Sequence, residues 1–173
     1  ELGVVAHIES WDQPQPGEDV ARSARHGFLA RIAQRRDCTA IALAHQMQDQ
    51  IETVLFRLGR GTGVRGVLGM SWRRHGDVDI VRPLLNCRRE ALVAYLESRK
   101  LTWLEDPSNQ DSRMSRNRIR HLALPALTES LGDNWLEHWS ENLEDLRSIW
   151  SWLEASASQV LAEARLPSSP SSA

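Results

Sequence analysis

The spacing of apolar residues changes several times along the chain, and each change predicts an element. Gly3-Val-Val-Ala-His-Ile8 is a short run with β-branched residues and predicts a strand. Two prolines and a glycine in Trp11-Asp-Gln-Pro-Gln-Pro-Gly17 predict a loop. Val20, Ala24, Phe28 and Ile32 recur every fourth residue, which predicts a helix over 19–34 with Asp37 at its end. Thr39-Ala-Ile-Ala-Leu-Ala44 is continuously apolar, as in a parallel strand buried on both faces. A helix over 48–58, a glycine-rich loop over 59–69 and a strand over 78–81, stopped by Arg82-Pro83, follow. Next come a helix over 88–99 with Leu92, Tyr95 and Leu96 on its apolar side, a strand over 101–104, a polar loop over 105–112 and a helix over 113–122. This alternation predicts an α/β fold with a mainly parallel sheet. From Trp135 the steps are three and four: Trp139, Leu143, Leu146, Trp150, Leu153, Ala157 and Val160 belong to one long amphipathic helix, expected to pack on its own chain. The organisation is therefore an α/β domain over 1–130, a helix over 131–166 and a disordered Ser/Pro tail over 167–173.

Composition adds limits. Of 173 residues, 41% are hydrophobic and 25% charged, ordinary for a soluble globular protein. No apolar run is long enough to span a bilayer, and no signal peptide is present, so no membrane partner is expected. Cys38 and Cys87 are far apart and form neither a CxxC nor a metal spacing, which fits bystander thiols in a reducing, cytoplasmic setting. The formal charge of −2 hides an asymmetry. Between Arg57 and His121 fourteen Lys and Arg stand against seven Asp and Glu. A basic middle in an acidic chain suits an anionic partner, nucleotide or nucleic acid, and equally a solvated face.

Four groups of residues have chemistry to offer. On a helix at about 100° per residue, His45, Asp49 and Glu52 fall within about 60° of one another, opposite Met47, Ile51, Val54 and Leu58. Two carboxylates there suit Mg²⁺ or an ammonium group, or they simply complement the helix macrodipole. Gly61, Gly63 and Gly66 satisfy G-x-G-x-x-G, but they follow a helix rather than a strand, so the dinucleotide fingerprint is rejected. A helix cap and loop remains, with Arg60 and Arg65 as tRNA or nucleotide contacts. Arg113, Arg116 and Arg120 share a face if helical, and their planar, permanently charged forks suit phosphate oxygens; Asp106 and Asp111 are alternative partners for them. Arg22 and Arg25 on the first helix are weaker candidates.

These residues resemble a known family. Ala44-His-Gln-Met-Gln-Asp-Gln-Ile-Glu-Thr-Val-Leu55 followed by Arg57-Leu-Gly-Arg-Gly-Thr-Gly-Val-Arg-Gly66 resembles a signature of the PP-loop ATP pyrophosphatases. Arg82-Pro-Leu-Leu85, Asp106-Pro-Ser-Asn109, Arg116-Asn-Arg-Ile-Arg-His121 and Ala21-Arg-Ser-Ala-Arg-His26 narrow the resemblance to the tRNA(Ile)-lysidine synthetase family. It implies a Rossmann-like sheet of the adenine nucleotide α-hydrolase type. It implies ATP and Mg²⁺ as cofactors, a CAU-anticodon tRNA(Ile) and free lysine as partners, and self-association as a homodimer would be unsurprising. The implied reaction adenylates the wobble cytidine and then ligates lysine, giving lysidine and moving codon reading from AUG to AUA. Catalytic roles fall on Asp49, Glu52 and His45, with Asp49 as metal ligand. ATP contacts fall on Arg22, Arg25, Arg116 and Arg118, and tRNA contacts on Arg60, Arg65, Arg113 and Arg120. Gln46 and Gln48 stand where the family has a second His and a second acid, so no carboxylate role attaches to position 48. The family's Ser-Gly-Gly-x-Asp-Ser loop is absent, so this chain by itself is expected to bind ATP weakly and to be inactive. The alternatives are a tRNA-thiolating PP-loop enzyme and a non-catalytic tRNA-binding module.

Overall fold

The computed structural model describes residues 3–11, 17–104 and 115–164. The chain divides into two compact units, Glu1–Gln46 with Ser71–Leu85 and Met47–Met70 with Asn86–Ala173.

In the first unit α1 spans Glu18–Arg35. It stops as expected at Asp37, whose φ of 49° is left-handed. Cys38 N–H donates to Ala33 O at 2.9 Å and Asp37 N–H to Gln34 O at 3.3 Å, the paired bonds of a Schellman end. Strands β1 (Ala40–Ala42), β2 (Arg73–Arg74) and β3 (Asp79–Val81) form a sheet in the order β1-β3-β2. β1 and β3 are parallel, with Ile41 opposite Ile80, and β2 adds an antiparallel edge that periodicity did not predict. β1 is not buried on both faces: Ala40 and Ala42 are exposed and Ile41 is half-buried. The run from Gly3 to Ile8 is not a strand either. No described strand takes its backbone hydrogen bonds, and Val4, Val5 and Ile8 are exposed. β propensity alone does not make a strand without a pairing edge.

The second unit is helical: α2 (Met47–Gly59), α3 (Val64–Val67), α4 (Arg89–Ser98), α5 (Ser115–Arg118), a π-helical turn (Ile119–Ala123), α6 (Leu124–Leu131) and α7 (Trp135–Ala164). Its core joins Met47 and Ile51 of α2 to Leu124, Trp135 and Leu136. Trp135 and Trp139 meet edge to face at 6.3 Å, and Trp135 Nε1 donates to Thr128 Oγ1 at 2.9 Å. The π turn precedes Pro125, which has no N–H to continue an α ladder. The predicted strand over 101–104 pairs with no described strand, and Leu104 is wholly exposed. Tyr95 is likewise exposed, not on an apolar side; its ring lies 5.4 Å from the Arg99 guanidinium. The long helix buries apolar side chains in its first half, at Trp135, Leu136 and Leu143, while Ile149, Trp152, Leu153, Val160 and Leu161 are exposed. Residues 12–16 of the loop expected over 11–17, the loop expected over 105–112 and the tail from 167 lie outside the described residues. No helix among the described residues is long and apolar enough to cross a membrane.

Candidate functional site

The glycine-rich segment contains α3 and is fastened rather than loose. Gln50, buried on α2, donates from Nε2 to Met70 O at 2.8 Å and accepts from Met70 N–H at 2.6 Å. Arg57 Nη1 donates to Gly66 O and Gly69 O, at 3.2 and 2.9 Å. Arg147 of α7 donates to Leu68 O and Met70 O. Gly69 has a φ of +67°, and a Cβ there would stand 2.5 Å from Gln50 Oε1, so only glycine fits. Arg65 turns to α7, pairing with Glu154 at 2.6 Å beside the Trp150 ring.

The acidic face of α2 meets the π turn. Arg120 Nε donates to Glu52 Oε1 at 2.6 Å, and its Nη2 donates to Glu52 Oε2 and Asp49 Oδ1, both at 3.0 Å. The Glu52 side chain is 5% exposed and that of Asp49 24%. Burial pushes the Glu52 carboxyl above its ordinary range, and Arg120 only partly offsets this. Burial works against the Arg120 charge too, but Glu52 and Asp49 hold that guanidinium protonated. Two carboxylates thus share one cation in a partly dry site. Among the described residues no three His, Cys, Asp or Glu gather as a metal would require. A single carboxylate such as Asp49 can hold Mg²⁺ only where phosphate oxygens and water complete the shell.

His45 does not share this helical face. α2 begins at Met47, and His45 belongs to the first unit, where Arg82 Nε donates to its Nδ1 at 3.3 Å. That bond makes Nδ1 the acceptor and leaves the proton on Nε2. Arg82, itself buried, also donates to Ser71 O at 2.8 Å. In the same unit Arg22, Arg74, Arg25 and Arg82 all act on His26, whose pKa is lowered first by burial and then by these charges. Arg22 and Arg25 therefore sit in a basic cluster that includes Arg74, which sequence reasoning passed over because an Arg-Arg pair carries no periodic signal. Gln48 serves the fold. Its Oε1 accepts from Arg89 N–H at the start of α4, at 3.1 Å, and its Nε2 faces Glu90.

Arg116 and Arg60 both lie over the Phe56 ring, at 5.6 and 4.9 Å. Arg118 is exposed on the wall of a neighbouring cleft. Arg113 lies outside the described residues. Phe56 was missed in the sequence; its place four residues after Glu52, on the same helical face, was the available signal.

A family model described as a PP-loop domain matches residues 1–127. The tRNA(Ile)-lysidine synthase of Pseudomonas fluorescens is 40% identical over 161 residues, covering 90% of this chain and 36% of that protein. That of Ruegeria pomeroyi is 40% identical over 136 residues, covering 78% of this chain and 32% of that protein. The chain thus spans about a third of the length of these relatives. Among solved structures, the U34-tRNA thiolase NcsA from Methanococcus maripaludis, described with its [4Fe-4S] cluster, matches with a TM-score of 0.55 and 15% identity. That match covers 79% of this chain and 47% of the thiolase, and it concerns the fold alone. The expected α/β class holds, with a sheet that is small and mixed, and the chain is a member of the PP-loop domain family.

Proposed function

We propose that this chain belongs to the ligase portion of an enzyme that attaches lysine to the wobble cytidine of a CAU-anticodon tRNA(Ile). The observation that carries the proposal is the Asp49–Glu52–Arg120 cluster, two carboxylates already organised around a cation. The names of the relatives support the reaction class. In the first step the cytidine C2 oxygen attacks the α-phosphorus of ATP, and pyrophosphate leaves. In the second the ε-amine of lysine attacks C2, the C–O bond breaks, AMP leaves, and the amine gives up a proton.

Asp49 and Glu52 hold the lysine side-chain nitrogen near the reacting carbon, which lowers the entropic cost of the encounter. Before attack that nitrogen must lose a proton, and a buried carboxylate with a raised pKa is suited to accept it. Were Asp49 to hold Mg²⁺ instead, that ion would offset charge on the leaving pyrophosphate. Arg116, close enough to act on Glu52, supplies positive charge for the nucleotide. The protein would act in the cytoplasm, where tRNA, ATP and lysine meet.

The test is incorporation of radiolabelled lysine into CAU-anticodon tRNA by the whole enzyme to which this proposal assigns the chain, with ATP and Mg²⁺. Wild type is expected to incorporate lysine, and Asp49→Asn to lose at least about a hundredfold in rate, in keeping with the usual contribution of a positioned acid–base group. No incorporation by wild type, or full activity in Asp49→Asn, would overturn the proposal.

A further inference from the structure

One helical turn beyond Glu52 the same face of α2 opens into a cleft of about 930 Å³ in the second unit. Its lining is apolar along Leu55, Ile119, Leu122 and Leu127. The polar part of the lining consists of Arg60, Arg118 and Ser130; among the described residues no carboxylate lines it. Arg60 and Arg118 are both exposed, and the Arg60 guanidinium carbon stands 4.9 Å from the centre of the Phe56 ring. An apolar floor with a cationic rim asks for a ligand that is planar and uncharged at one end and anionic at the other. A nucleotide is such a ligand: bases stack on aromatic rings and on guanidinium planes, and phosphates take Arg.

We infer that this cleft binds one nucleotide of the RNA strand, adjacent to the nucleotide that reacts at Asp49 and Glu52, with its base on the apolar floor beside Phe56 and its phosphate at Arg60 and Arg118. The inference rests on the proposed function for the identity of the RNA. Two observations favour RNA over an acidic protein helix. Phe56 follows Glu52 by four residues on one helix, about 6 Å of rise, so cleft and carboxylate cluster form one track along α2. Arg116 joins them, since it lies over Phe56 and acts on Glu52. Arg118, expected from the family resemblance to contact ATP, is thereby assigned to the RNA.

The experiment is fluorescence anisotropy of a labelled CAU-anticodon stem-loop RNA with the whole enzyme to which the proposed function assigns this chain, in a salt series, beside an ATP titration of the same samples. Three proteins are compared: wild type, the double variant Arg60→Ala with Arg118→Ala, and Ala126→Trp, which fills the cleft from an exposed position without changing charge. The double variant is expected to lose about tenfold or more in RNA affinity and to flatten the slope of log K against log salt by about one to two. Ala126→Trp is expected to lose about tenfold with its salt slope unchanged, as removal of one stacked base predicts. ATP affinity is expected to stay as in wild type for both. Wild-type RNA affinity in Ala126→Trp overturns the inference and leaves the cleft to a protein helix. Loss of ATP affinity, alone or beside that of RNA, overturns it in favour of free nucleotide. Thermal unfolding of each variant identifies a misfolded one, and the other variant then decides. The readout is binding, so failure of lysine ligation would not be mistaken for failure of this inference.

Discussion

Arg120 grips Glu52 with two parallel hydrogen bonds, Nε to Oε1 at 2.6 Å and Nη2 to Oε2 at 3.0 Å, across 68 positions of chain. The two parallel bonds match the planar guanidinium fork, so Lys in place of Arg120 could not reproduce them. They tie the π turn to α2 beside the carboxylates proposed to receive lysine.

Removing one partner should therefore be worse than removing both charges. Arg120→Met leaves Glu52 nearly buried without its hydrogen-bonded counter-ion and should cost about 2–3 kcal/mol, below the fully buried case because Arg120 is 31% exposed. Glu52→Gln combined with Arg120→Met should recover at least half of that. Urea unfolding of the four proteins in the cycle checks it; a double variant destabilised by the sum of the two single variants would show that the pair is not coupled.

The same burial sets a pH dependence. The Glu52 pKa is raised in the folded chain, so between its ordinary value and the raised one the folded state holds a proton that the unfolded state has released. Stability from this group is thus complete below the ordinary glutamate value and falls as pH rises through the raised one. Wild-type Tm should decline across that window relative to Glu52→Gln, which has no carboxyl to ionise. Scanning calorimetry of both proteins from acid to neutral pH measures the difference, and parallel Tm curves would refute it.

Two glycines of one loop should respond differently. At Gly69 the backbone is left-handed and an added Cβ would press on the Gln50 amide that holds Met70. Gly69→Ala should cost about 2–4 kcal/mol, from the φ penalty and the weakened buried hydrogen bonds. Gly63 has a φ of −77° and nothing within 4 Å of where a Cβ would stand, so Gly63→Ala should change stability by less than about 0.5 kcal/mol. Urea midpoints of the two variants make the comparison.

The helices α1, α2, α4 and α7 were legible because each repeats apolar residues at a helical period for ten residues or more. The short strands were not. Gly3–Ile8 and Leu101–Leu104 have the right composition, but a strand needs a neighbour, and pairing is a property of the fold. β2 is two arginines, with nothing periodic to read. At the site, Asp49 and Glu52 were legible from helical spacing alone. The destination of Arg120 was not: an arginine row says that cations share a face, not which carboxylates lie opposite. His45 falls in with Asp49 only when helical spacing is carried back beyond the expected start at 48, whereas α2 begins at Met47; Gln48 caps α4.

Arg147 supplies the last prediction. It reaches from α7 to the glycine-rich segment, and its Nε and Nη2 both donate to Leu68 O, at 3.1 and 2.9 Å, while Nη2 also meets Met70 O. Glu144 holds the other arm, Nη1, at 2.6 Å. The side chain is only 17% exposed, so these carbonyls would otherwise have little water to bond. Arg147→Ala should cost about 2–3 kcal/mol, the sum expected for charge-assisted bonds whose acceptors are left behind. Arg147→Lys should recover less than half, because one ammonium cannot serve two carbonyls and a carboxylate in the plane a guanidinium spans. Hydrogen exchange should locate the damage: the amide of Met70 lies in the same fastened turn, so it should lose protection in both variants, whereas amides of α1, in the other unit, should not. A variant in which Met70 stays protected, or in which Lys restores full stability, would mean that α7 holds this loop by packing rather than through Arg147.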